Sequence, residues 1–231
     1  MFKLRLTMTK IITIDGPSGS GKGTVSRLLA EKLSFHYLDS GALYRVLSIA
    51  AMRRKVDTSN KAELSLIAEY MDVIFKTSAQ GDFQILLEGE NVTRDLRTED
   101  TGALASKIAA YTEVRNALLK RQRLFARGDG LVADGRDMGT EVFPAADLKI
   151  YLTASIEERA KRRHKELIEK GEDVSLRALA EQVAARDERD MNREVSPLVA
   201  AEDAIEIDTS DMSAKEVLET VLHIIDFKRL L

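Results

Sequence analysis

The sequence predicts an α/β fold in which helices cover both faces of a mostly parallel β-sheet. Two observations carry this. Short apolar, β-branched runs alternate with segments of helical periodicity, and the first run ends in a glycine-rich loop that opens directly into a helix. Lys10 to Asp15 reads as a buried strand ending at Gly16-Pro17. Val25, Leu28, Leu29 and Leu33 then fall on one face of a helix. His36 to Asp39 is a second short strand, followed by helical spacing through Leu43, Val46, Leu47 and Ala50. Three further strands follow at Leu131–Asp134, Leu148–Leu152 and Ala204–Ile207, with helical patterns between most of them.

One region breaks the rhythm. Asp72–Thr77 and Phe83–Leu87 are strand-like and are joined by the turn-rich Ser78-Ala79-Gln80-Gly81-Asp82, with another turn at Gly89-Glu90-Asn91. This predicts a small antiparallel element inserted over about residues 60–98, in a single domain running from residue 8 to 231. Residues 1–7 form a short lead before Met8.

Composition narrows the function. With 35 Lys+Arg against 38 Asp+Glu and a net charge of −3, the chain is not built to coat nucleic acid or an acidic membrane by bulk charge. Zero cysteines exclude disulfides, thiolate metal sites and a cysteine nucleophile. The three histidines are dispersed, which argues against a histidine-based metal site. No apolar stretch approaches a membrane span, and the first residues are too short for a signal peptide. The expectation is a cytoplasmic monomer with no nucleic-acid or membrane partner.

Gly16-Pro17-Ser18-Gly19-Ser20-Gly21-Lys22-Gly23-Thr24 lies between a strand and a helix, the setting of a phosphate-binding loop. Its glycines let successive N–H groups turn toward phosphate oxygens, and the helix adds its positive N-terminal end. Lys22 reaches for the β- and γ-phosphates of ATP. The magnesium-holding hydroxyl that usually follows the lysine is displaced by one position, to Thr24. Gly-Lys-Gly-Thr in this place resembles the loop of adenylate-kinase-like nucleoside monophosphate kinases.

Candidate acceptor residues lie further along. Asp39-Ser40-Gly41-Ala42-Leu43-Tyr44-Arg45 opens a helix and presents Arg45, whose planar fork suits a monophosphate. Asp134-Gly135-Arg136-Asp137-Met138-Gly139-Thr140 follows a core strand at its carboxyl end, where open α/β sheets bind ligands. There Arg136 offers a cation, Asp137 an acceptor for an exocyclic amine, and Asp134 a partner for magnesium-bound water. Arg186, Arg189, Asp190 and Arg193 share one face by helical spacing, with Arg186 and Asp190 an i, i+4 pair. Arg159, Arg162 and Arg163 form a second cluster, suited to the underside of a lid over ATP.

Together these strings resemble the bacterial cytidylate kinases, and they span residues 11 to about 208 in that family's order. The resemblance implies transfer of the γ-phosphoryl of ATP to CMP or dCMP, with Mg2+ as cofactor. It implies a small β-rich monophosphate-binding insertion and, over about residues 155–194, a helical lid with arginine-rich helices. By the same resemblance Arg45, Arg136 and Arg193 surround the acceptor phosphate, Arg186 and Asp190 lie near the pentose, and Ser106, Arg115 and Asp137 read the cytosine edge. Lys22, Arg136, Arg186 and Arg193 are then the catalytic cations, Arg159 and Arg163 join the loop around ATP, Ser40 joins the CMP set, and Thr24 and Asp134 serve the metal, partly through water. Two other readings are a uridylate- or shikimate-type kinase of the same fold and a nucleotide-dependent switch, which would leave the acceptor-side arginines without a role.

Overall fold

Ile12 and Ile14, on the first strand, expose 2% and 0% of their surface, so the run that opens the fold is buried as its β-branched composition requires. The computed structural model describes residues 9–77, 83–169 and 171–230. The expected lead at residues 1–7 and the Ser78–Asp82 link lie outside the described residues. In chain order the elements are β1 (Lys10–Asp15), α1 (Lys22–Leu33), β2 (His36–Asp39), α2 (Ser40–Arg53), α3 (Lys61–Tyr70), β3 (Val73–Thr77), β4 (Phe83–Leu87) and β5 (Glu90–Asn91). They continue as α4 (Glu99–Ile108), α5 (Thr112–Arg123), β6 (Gly130–Gly135), β7 (Leu148–Thr153), α6 (Ile156–Glu169), α7 (Leu176–Met191), β8 (Ile205–Asp208) and α8 (Ala214–Lys228). The helices start where short polar side chains accept a backbone N–H: Asp39, Asn60, Thr98, Ser175 and Ser213 cap α2, α3, α4, α7 and α8.

The chain forms two compact units. One takes the residues up to 38 together with those from 124 onward, and the other takes residues 39–123. The first carries a five-stranded sheet in the order β2-β6-β1-β7-β8, with β1 pairing in parallel to β6 and β7, and β7 in parallel to β8. Its core packs Val25 and Leu29 of α1 and Val217, Val221 and Ile225 of α8 against Ile12, Ile14, Val132, Ile150 and Leu152 of the sheet. A smaller core of Ala160, Leu167 and Leu179 holds α6 to α7.

The second unit packs α2 against α4 and α3 against α5, beside an antiparallel sheet in the order β3-β4-β5. The apolar spacing of α2 is satisfied, since Leu43, Val46 and Leu47 are fully buried. The β-rich insertion expected near residues 60–98 falls within this unit, and its third strand, β5, occupies what the sequence suggested was only a turn. Glu88 and Gly89 take left-handed φ values of 52° and 83°, so the chain reverses tightly and Glu90 pairs back onto Leu87.

Leu29 is fully buried in the first unit's core. Leu29→Ala is expected to destabilise the fold by about 2–5 kcal/mol, whereas Phe227→Ala, on a side chain 83% exposed, is expected to change stability by less than about 0.5 kcal/mol. Urea denaturation of the two variants checks this.

Candidate active site

In the first unit the loop between β1 and α1 is shaped by its glycines. Gly16 has φ 149°, and a Cβ there would lie 2.1 Å from the Leu152 carbonyl oxygen of β7, so no side chain fits. Gly21 caps α1 at φ 87°, bringing the helix N-terminus onto the loop. Lys22 Nζ donates to the Pro17 carbonyl at 2.9 Å and Ser20 Oγ donates to the same oxygen at 3.1 Å.

Cations from α6 and α7 hold the loop from outside. Arg159 is buried, and its guanidinium donates to both carboxylate oxygens of Asp187, with Nη1 3.0 Å from Oδ1 and Nη2 2.5 Å from Oδ2. The same Arg159 donates to the Ser18 carbonyl at 3.1 Å and, through Nε, to the Ala154 carbonyl at 2.9 Å. Arg162 reaches the Gly19 carbonyl at 3.4 Å, and Arg186 Nη1 reaches Ser18 Oγ at 3.2 Å. Arg163 donates outward to Glu166 at 3.0 Å.

A second group forms where β6 ends. Asp134 accepts from the Tyr37 hydroxyl at 2.6 Å, and its Oδ2 lies 3.6 Å from where a Cβ on Gly23 would stand, so this carboxylate faces the phosphate loop. Arg136 Nε donates to Asp190 Oδ2 at 2.9 Å, and Arg193 pairs with the other oxygen of the same carboxylate. Asp190 is 1% exposed. Burial alone would push its carboxyl up, but the charges of Arg136 and Arg193, the hydrogen bond from Arg136 and the charge of Arg186 together hold it below the ordinary carboxylate range. Asp137 is buried beside them.

The second unit carries its own cluster. Ser40 Oγ donates to Gln122 at 2.8 Å, and Arg45 Nη1 donates to the Leu96 carbonyl at 2.6 Å. Ser106 is 8% exposed, and its hydroxyl has no hydrogen-bond partner among the described residues. Arg115 is buried, donates to the Ala109 carbonyl at 3.0 Å, and holds its guanidinium carbon 5.9 Å from the Tyr44 ring centre. No group of three or more metal-ligating side chains occurs among the described residues, and no described helix is long and apolar enough to cross a membrane.

A family model described as cytidylate kinase matches residues 12–227. The chain belongs to the cytidylate kinase family. The cytidylate kinase of Colwellia psychrerythraea is 53% identical over 93% of this chain and 95% of its own length. That of Shewanella putrefaciens is 54% identical over 94% and 95%.

For a member of this family the first unit brings together the phosphate loop, Asp134, Arg136, Asp137, Arg159, Arg186, Asp190 and Arg193, while Ser40, Arg45, Ser106 and Arg115 stand in the second. The arginine-rich face differs from its sequence reading in two respects. Helix α7 ends at Met191, so Arg193 lies beyond it, and Arg189 is exposed while Asp187 and Asp190 are buried. Asp190 accordingly is a buried bridge between Arg136 and Arg193 that also feels the charge of Arg186, not a group on a solvated helix surface. Isolated helix spacing cannot reveal that choice, because Arg136 is remote in sequence.

Three supporting residues escaped the sequence reading: Asp187, Tyr37 and Asp15. For Asp15 a signal was present, a carboxylate closing an isoleucine-rich strand immediately before the phosphate loop. Its two oxygens accept from the backbone N–H groups of Met138 and Gly139 at 2.9 and 2.8 Å, tying the segment after Asp137 to the base of the loop.

Burial pushes the Asp15 carboxyl from 3.8 up to about 6; the N–H groups of Gly139 and Met138 pull it back, Asp137 adds to the rise, and Lys22 opposes it. The folded chain therefore binds a proton here that the unfolded chain has released. The group's contribution to stability is full below pH 3.8 and is lost as pH rises to about 6, a change on the order of 3 kcal/mol. Asp15→Asn, which does not titrate, removes this contribution, so the stability difference between wild type and variant is expected to shift across that window and to be flat above it. Urea midpoints at closely spaced pH values measure it.

Proposed function

We propose that this chain transfers the γ-phosphoryl group of ATP to CMP or dCMP, giving CDP or dCDP and ADP. The observation that carries this is the ring of cations on the phosphate loop: Lys22, Arg159, Arg162 and Arg186 all donate to residues between Pro17 and Ser20. Phosphoryl transfer requires charge neutralisation around the moving group and little covalent chemistry from the protein. Membership of the cytidylate kinase family supports CMP as the acceptor.

Lys22 is assigned to the β- and γ-phosphates, with the loop N–H groups and the α1 N-terminus on the remaining oxygens. Arg159 and Arg163 are assigned to the ATP side. The buried Arg159–Asp187 pair gives Arg159 a positioning role, since it holds the Ser18 carbonyl while α7 holds it. Arg45, Arg136 and Arg193 are assigned to the acceptor phosphate, Arg186 and Asp190 to the pentose region, and Ser40 to the same acceptor. Ser106, Arg115 and Asp137 are assigned to the cytosine edge. The unpartnered buried hydroxyl of Ser106 supports that role, because a buried polar group without a protein partner is costly unless a ligand completes it.

Magnesium fits the donor set beside the loop: the Asp134 carboxylate and the exposed Thr24 hydroxyl are hard oxygen donors, few in number, which suits an ion that keeps waters and substrate phosphates as its other ligands. When bound it supplies charge neutralisation at the phosphates. Asp134 is held in place for this by Tyr37.

Lys22→Ala is expected to lower kcat by at least about a hundredfold with an unchanged circular dichroism spectrum; wild-type turnover in that variant contradicts the assignment. Asp137→Ala is expected to raise the KM for CMP and to narrow the preference for CMP over UMP by about tenfold or more, because a site built to pair with one base edge discriminates through the partners it leaves unsatisfied. Steady-state kinetics with both acceptors measures it, and an unchanged CMP/UMP ratio removes Asp137 from base reading.

A further inference from the structure

Helix α4 contains a residue that works against it. Gly102 lies in the second turn of a ten-residue helix, where glycine is the poorest former apart from proline. Its backbone does not require glycine: it has no left-handed φ, and its N–H makes the ordinary helical bond to the Thr98 carbonyl at 3.1 Å. The reason lies in space rather than in conformation. A Cβ on Gly102 would stand 3.1 Å from Arg45 Nη1, 3.2 Å from Nη2 and 3.4 Å from Cζ, so the fork of the Arg45 guanidinium, nitrogens foremost, occupies the space a side chain would need. The two nitrogen approaches are tighter than a Cβ normally makes, and the neighbour must give by a few tenths of an ångström.

Arg45 cannot give way without consequence. Its Nη1 is held by the Leu96 carbonyl at 2.6 Å, so the displacement that admits a methyl group also strains or breaks that bond. Gly102 further stands one turn before Ser106 on α4, so the bare position and the hydroxyl assigned to cytosine share a helix face. We infer that Gly102 is a positioning residue for the acceptor: it leaves the space in which the Arg45 fork is held at the angle needed for a monophosphate. This rests on the proposed role of Arg45 at the acceptor phosphate.

The test is a double-mutant cycle of Gly102→Ala and Arg45→Ala, with KM for CMP, KM for ATP, kcat and the thermal midpoint measured for each protein. A purely structural glycine would show itself as a loss of stability. The expected result is the reverse pattern. Gly102→Ala melts close to the wild-type temperature, because the helix gain from alanine offsets the weakened Arg45 bond, while its KM for CMP rises about tenfold, the equivalent of one weakened charge-assisted hydrogen bond, and its KM for ATP is unchanged. Added to Arg45→Ala, it produces no further rise, since the group it displaces is already gone. A normal KM for CMP in Gly102→Ala, with a raised one in Arg45→Ala, overturns the inference and leaves the proposed function standing. A rise that persists in full in the double variant, or a thermal midpoint lowered by about ten degrees, overturns it as well. An unchanged KM for CMP in Arg45→Ala removes the acceptor role of Arg45 itself, and the inference falls with it.

Discussion

Several arginines must stand close together to neutralise a transferring phosphoryl group, yet like charges in a partly buried site repel one another strongly. The carboxylate of Asp190 resolves this conflict in the first unit. It is almost wholly buried, it accepts from Arg136 on one oxygen and Arg193 on the other, and it feels the charge of Arg186. Removing it would leave neighbouring positive charges without the carboxylate that lies between Arg136 and Arg193. The carboxylate costs desolvation, and the arginines more than offset that cost, which is why its acidity ends up stronger than that of an ordinary aspartate. The Arg159–Asp187 pair repeats the device one helical turn earlier on α7.

The phosphate loop depends on the same arrangement. Its carbonyl oxygens would oppose an incoming anion if they were free to turn inward. Here Pro17, Ser18, Gly19 and Ser20 each have a carbonyl held by Lys22, Arg159, Arg162 or Thr209, which leaves the N–H groups as the natural contacts for phosphate. The loop is thus shaped from two directions: by glycines that let the backbone turn, and by side chains from α6 and the end of β8 that fix where its oxygens point.

Much of this architecture is legible in the sequence because it is local. The parallel sheet follows from short β-branched runs such as Ile11–Ile14, α2 follows from the spacing of Leu43, Val46 and Leu47, and the phosphate loop follows from four glycines and a lysine between a strand and a helix. The parts that the sequence conceals are set by partners distant along the chain. Asp190 bonds Arg136, 54 residues away. Asp15 clamps a turn 123 residues later. The strand at Glu90–Asn91 is too short to carry a pattern of its own and exists only because β4 supplies its ladder. The value of Gly102 is equally hidden, since a lone glycine inside a helical pattern looks like a defect until the guanidinium lying on it is seen.

What the site must do is bind a second phosphate beside ATP and read the base attached to it. Magnesium-dependent ADP release, coupled to an optical signal, tests that directly when CMP, dCMP, UMP, AMP, GMP and shikimate are supplied in turn as acceptors. A cytidylate kinase turns over rapidly with CMP and dCMP and slowly or not at all with the purine nucleotides and shikimate. Rapid turnover with shikimate or a purine monophosphate, or ATP hydrolysis that ignores every acceptor, would contradict the assignment of these arginines and of Ser106, Arg115 and Asp137 to CMP.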